Sequence, residues 1–100
     1  MKKFSLVMAI FALLASGYSV AADIAAGKAK AAQCAACHGV AGISPMGLYP
    51  NLAGQQKDYL KKQMNDFRSG ARNDPTMKAM AGGLTDIEIA NLAAYYASIK

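Results

Sequence analysis

The chain has 100 residues, 54% of them hydrophobic, with two cysteines, one histidine and a formal net charge of +5. Its excess of eleven Lys and Arg over six Asp and Glu is too mild to argue for nucleic acid. A chain this short makes one small domain, whose interior ordinarily needs a disulfide, a metal or a partner to complete it.

The first stretch is a leader by composition. Lys2 and Lys3 precede an apolar run from Phe4 to Ala15, broken only by Ser5, and Val20-Ala21-Ala22 suits cleavage before Asp23. That pattern predicts a secretory signal peptide over 1–22 and a periplasmic mature domain over 23–100. The apolar run is shorter than the roughly 20 residues a membrane span requires, so no span is expected after cleavage. No cysteine stands near the cleavage point to take a lipid. Cleavage removes two lysines and leaves nine cations against six carboxylates.

Ile24 to Cys37 is rich in Ala and Lys and free of proline, which predicts a helix running into the cysteines. Gly39 to Gly54 carries four glycines and two prolines and reads as loop. From Gln56 to Ser69 the residues Tyr59, Leu60, Gln63, Met64 and Phe67 share one helical face, and Gly70 ends the helix. Ala71 to Gly83 reads as a second irregular stretch, in which Asp74-Pro75 opens one short turn carrying Met77 and Met80. Thr85 and Glu88 fit a capping box for a last helix reaching about Ile99, with Ile89, Leu92, Tyr95, Tyr96 and Ile99 on its apolar face. No strand pattern occurs, so the expected fold is all-α. Long loops in so small a domain are expected to wrap a ligand.

Both cysteines and the only histidine fall in CAACH, residues 34–38. A disulfide between Cys34 and Cys37 would close a tiny loop and stabilise little. A thioredoxin-like dithiol would want a preceding strand and a βαβ context. A structural zinc takes four ligands, and only three are present. Covalent haem accounts for more: two thiols one helical turn apart add to the two vinyl groups, and the next residue, His38, lies under the iron. The flat apolar porphyrin also supplies the interior that the chain lacks. In an exported helical chain with no other cysteine or histidine, the motif favours haem.

Four segments in order, CAACHG, YPNLAGQ, YLKKQMNDFRSGARNDPTM and LTDIEIANLAAYYAS, resemble the small bacterial class I c-type cytochromes along essentially the whole mature chain. The resemblance is to the branch that holds both single-haem carriers and two-haem proteins built from two such units. It implies the class I cytochrome c fold, three main helices plus short helical turns around one haem c bound through Cys34 and Cys37. By the same resemblance His38 is the proximal iron ligand, the carbonyl of Pro50 accepts from its ring, and Leu52 packs on the porphyrin. Of the methionines, Met64 reads as core and Met46 lies too near the proximal side. The resemblance points to Met77 as the sixth ligand, with Met80 at the haem edge. Arg72 and Asn73 are placed to reach a propionate, and Gly27 with Tyr95 or Tyr96 marks a crossing of the first and last helices. The implied function is one-electron transfer, not enzymatic catalysis, between redox partner proteins whose identity the sequence does not give. The domain is expected as a monomer or in transient complexes. The alternatives are a haem sensor or peroxidase-like protein with an open sixth position, a haem-bearing subunit of a larger redox complex, and a non-haem helical module with a plain disulfide.

Overall fold

The structure is a computed structural model and describes residues 21–100. The expected leader, 1–22, lies outside the described residues apart from its last two. The fold is helical, with no strand among the described residues. In order come α1 (Ile24–Lys30), a 3-10 turn (Ala31–Cys34), α2 (Ala35–His38), α3 (Lys57–Ser69), α4 (Pro75–Gly82) and α5 (Asp86–Ser98).

Three helix ends have a clear local cause. Asp23 caps α1, its carboxylate accepting from the Ala26 amide at 3.0 Å, so the cap is complete even if the chain starts at residue 23. Gly70 ends α3 in the left-handed region, φ 88°. At α5 the expected capping box is present. Glu88 N–H donates to Thr85 Oγ1 at 3.1 Å, and Thr85 N–H donates to Glu88 Oε1 at 2.9 Å.

Two expectations are corrected. The first helix is not continuous to Cys37: it tightens into the 3-10 turn at Ala31–Cys34 before α2. The stretch after Arg72 is not one short turn but an eight-residue helix, α4. Asp74 accepts from the Met77 amide at 2.9 Å, and Pro75 enters at the first helical position, where its fixed φ suits the helix.

α1 packs across α5, and α3 rests on both α4 and α5. Leu60, Ala81, Leu84, Ile89, Leu92, Ala93, Tyr95 and Tyr96 form most of the core, with only Ile89 and Leu92 as large side chains below 2% exposure. Cys34, Leu52, Met64 and Phe67 pack around it, half-buried. The cysteine segment therefore lies on the margin of a small core.

Candidate functional site

The site begins where α2 ends. Gly39 follows His38 at φ 87°, and a Cβ there would stand 1.8 Å from the Ile43 carbonyl oxygen, so only glycine permits the turn. The loop then folds back on itself: Leu52 and Ala53 amides both donate to the Gly42 carbonyl, at 2.8 and 3.0 Å. Ser44 braces this return through its amide, which donates to Asn51 Oδ1 at 2.7 Å, and its Oγ lies between the carbonyl oxygens of Met46 at 2.6 Å and Cys37 at 3.1 Å.

That fold-back delivers the Pro50 carbonyl to His38. His38 is 7% exposed, and its Nδ1 lies 2.9 Å from the Pro50 oxygen. A carbonyl only accepts, so the proton sits on Nδ1 and the Nε2 lone pair is left for a ligand. The Tyr49 ring stands edge-on, 6.3 Å from the imidazole between centroids. Cys34 and Cys37 are half-buried free thiols. Burial pushes the Cys34 thiol above its ordinary range, while the neighbouring Tyr96 hydroxyl and then Lys30 draw it partly back.

Leu52 packs, half-buried, against the core beside this segment. Met77 is half-buried in the first turn of α4, whereas Met80, one turn on, is 38% exposed. Met46 is also exposed, and Met64 packs on the core as expected. The Arg72 guanidinium donates to Gln63 Oε1 at 2.8 Å and lies 4.6 Å from the Phe67 ring centroid. Gly27 meets Asn91 and Tyr95, not Tyr96, at the crossing of α1 and α5.

Ser44, Asn51 and the hydroxyl of Tyr96 escaped the sequence reading. The polar pair Ser44 and Asn51 inside a glycine-rich loop was the available signal for a side-chain-braced turn. Tyr96 is legible only as an apolar position. Its hydroxyl is buried with no hydrogen-bond partner among the described residues.

No group of three or more His, Cys, Asp and Glu among the described residues is arranged to hold a metal ion. An oriented imidazole beside two unjoined thiols, on the edge of a core too small for its chain, instead fits a group that is tethered by sulfur and brings its own metal frame. A helical domain with this site is of the c-type cytochrome class. The cytochrome c family model matches residues 24–100, and the chain belongs to that family. Over 80 residues it is 50% identical to a cytochrome c4 of Pseudomonas aeruginosa, a match covering 80% of this chain and 40% of that protein. A cytochrome c-554(548) of Halomonas halodenitrificans is 46% identical over 81 residues, covering 78% of this chain and 98% of the relative. The crystal structure of reduced recombinant cytochrome c4 from Pseudomonas stutzeri superposes with a TM-score of 0.75 at 40% identity, over 80% of this chain and 47% of that one. The chain thus spans about half the length, or less, of the cytochrome c4 proteins it matches. Its all-α fold is that of a single class I cytochrome domain, and family membership implies a covalent c-type haem.

Proposed function

We propose that the domain is a periplasmic one-electron carrier with a single haem joined to Cys34 and Cys37 and ligated by His38 and Met77. When bound, the haem supplies a reversible change of one electron at iron. The residues determine what that change does. The observation that carries the reading is the His38–Pro50 hydrogen bond beside two free thiols. It fixes the imidazole tautomer and ring plane and raises the basicity of Nε2. Burial of His38 keeps water from competing for that nitrogen.

On the other side, Met77 is supported over Met80 because it is half-buried and fixed by the Asp74 cap at the start of α4. A thioether there favours the ferrous state, and an apolar wall including Leu52 disfavours the extra ferric charge in the same direction. If His38 and Met77 both held the iron, no ligand position would be left for a small molecule. The chain has no second histidine to serve an open, peroxidase-like site. Arg72 gives one guanidinium N–H to Gln63 and keeps others for a propionate.

Export supports the same reading, since the leader-like 1–22 precedes a chain whose first helix cap is Asp23. Redox proteins are its partners, met free or within a larger complex. The visible spectrum of the purified protein tests the proposal. A six-coordinate low-spin c-type spectrum is expected; a high-spin spectrum would mean an open site, and no haem absorption would mean a disulfide module.

A further inference from the structure

The helix that carries Met77 does little to hold itself in place. α4 has eight residues and buries one of them, Ala81. A helix that short is marginal without outside support. Met77 lies four residues before Ala81, on the same face, so its direction follows from how that face is seated. The seat depends on ties at the two ends of the segment. At the start, the Arg72 amide donates to the Asp66 carbonyl of α3 at 3.1 Å. At the far end, Gly82 and Gly83 lead into Leu84. A Cβ on either glycine would meet nothing within 4 Å, so no neighbouring group steadies the chain there.

One side chain of α3 supplies the tie at that end. Arg68 Nη1 donates to the Leu84 carbonyl at 3.1 Å. Its Nη2 donates to Asn65 Oδ1 at 2.7 Å and to Asp86 Oδ1 at 2.6 Å. Asn65 is itself oriented, because its Nδ2 donates to the Lys61 carbonyl at 2.9 Å and its oxygen is left for the guanidinium. The acceptors differ in weight. The Asp86 side chain is 88% exposed, and an ion pair in water contributes little. Leu84 is buried, so the bond to its carbonyl is shielded from competing water. A planar guanidinium fork serves carbonyl and carboxylate together, which a point-like ammonium does less well.

We propose that Arg68 is a positioning residue for the sixth ligand: by pinning the Leu84 carbonyl to α3 it seats α4 and keeps the Met77 sulfur on the iron. This rests on the reading above that Met77 ligates a bound haem.

The test titrates the ferric, haem-loaded protein with imidazole, which takes the iron position that Met77 gives up. Arg68→Leu keeps an apolar stem and removes every donor. Its imidazole affinity should rise about tenfold, the size expected when one shielded hydrogen bond is lost from the closed state. Its far-red ferric band should weaken in parallel. Asp86→Asn removes the ion pair and keeps an oxygen for the fork, so its affinity should stay within about twofold of wild type. A merely structural arginine would lower the unfolding midpoint in Arg68→Leu and leave the imidazole affinity unchanged. That result overturns the proposal. An equal rise in Asp86→Asn also overturns it, by assigning the effect to the exposed ion pair. If Arg68→Leu does not accumulate, Arg68→Lys is titrated instead, since it keeps the charge and lacks the fork. A raised affinity there supports the proposal, and wild-type affinity overturns it. A wild type with no far-red band overturns the Met77 reading itself, and this proposal with it.

Discussion

A Cβ on Gly27 would stand 2.1 Å from the carbonyl oxygen of Asn91 and 2.9 Å from Tyr95 Cβ. α1 and α5 thus meet backbone to backbone, a contact that no other residue type at position 27 allows. Asn91 adds a second tie at the same crossing, its Oδ1 accepting from the Asp23 amide at 2.8 Å. The crossing sets the angle at which α1 feeds the 3-10 turn and Cys34.

Gly27→Ala should therefore destabilise the loaded protein by at least the 1–3 kcal/mol typical of overpacking, or about 1.4 kcal/mol per tenfold change in the folding constant. Denaturant unfolding followed through the haem absorption measures it. An unchanged midpoint would show that the two helices move apart at no cost.

Ligation is the second expected outcome. His38→Ala should abolish the low-spin spectrum, because the only imidazole in the chain is lost. Met77→Ala should lose the weak far-red ferric band that sulfur–iron ligation gives, while Met80→Ala keeps it. The reverse pattern would transfer the role to Met80.

The helices that were legible in the sequence are those whose ends are decided by neighbours in the chain. Thr85 with Glu88, and Gly70 after Ser69, act within one turn, so their reading needs no tertiary knowledge. α4 was underread because the glycines that close it and the Asp-Pro that opens it are also loop residues; what decides is that Asp74 accepts from Met77 and the intervening residues are good helix formers. The break at Ala31–Cys34 lies in alanine-rich sequence with no local breaker, and comes where the chain turns from α5 toward the site. In the site, CAACH was legible from spacing, whereas the Pro50 acceptor and Met77 came from resemblance. The stacking of Arg72 on Phe67 and its bond to Gln63 depend on how the chain turns back after Gly70, which composition does not encode.

A pH prediction follows from Glu88. Its carboxyl is held below the ordinary glutamate range, first by the Lys30 ammonium, 2.8 Å away, and next by the Thr85 amide. A lowered folded value means that this contribution to stability is fully present above the ordinary glutamate pKa. It is lost as pH falls through the lowered value in the folded state. Thermal unfolding midpoints should therefore drop on that acid limb, and Glu88→Gln should flatten this part of the profile while keeping an acceptor for the Thr85 amide. An acid limb identical in the variant would assign the loss to other carboxylates. Thr85→Ala, which removes the reciprocal half of the cap, should cost about 1 kcal/mol at any pH.

The last prediction concerns how a redox partner is met. Six cations, Lys57, Lys61, Lys62, Arg68, Arg72 and Lys78, lie along α3, the turn after it and α4, but they are not equally free. Lys62 pairs with Asp66 at 2.5 Å. Arg68 is fixed by Asp86 at 2.6 Å, by Asn65 and by the Leu84 carbonyl, which makes it a strut between α3 and α5. Arg72 is taken by Gln63 and Phe67. Lys57, Lys61 and Lys78 are exposed and make no ion pair among the described residues, so they are the cations available to orient an acidic partner. With nine cations against six carboxylates over 23–100, and two haem propionates added, net charge is too weak to steer, and local placement must do it. Stopped-flow electron transfer with an acidic redox protein should slow as salt screens these charges. Lys57→Gln with Lys61→Gln should lessen that slope, and Lys62→Gln should change it less because its charge is already met by Asp66. A rate flat across ionic strength would mean that docking is governed by apolar contact. The uncharged run from Ala31 to Gln56, with Val40 88% and Leu48 83% exposed, is the surface that would then carry it.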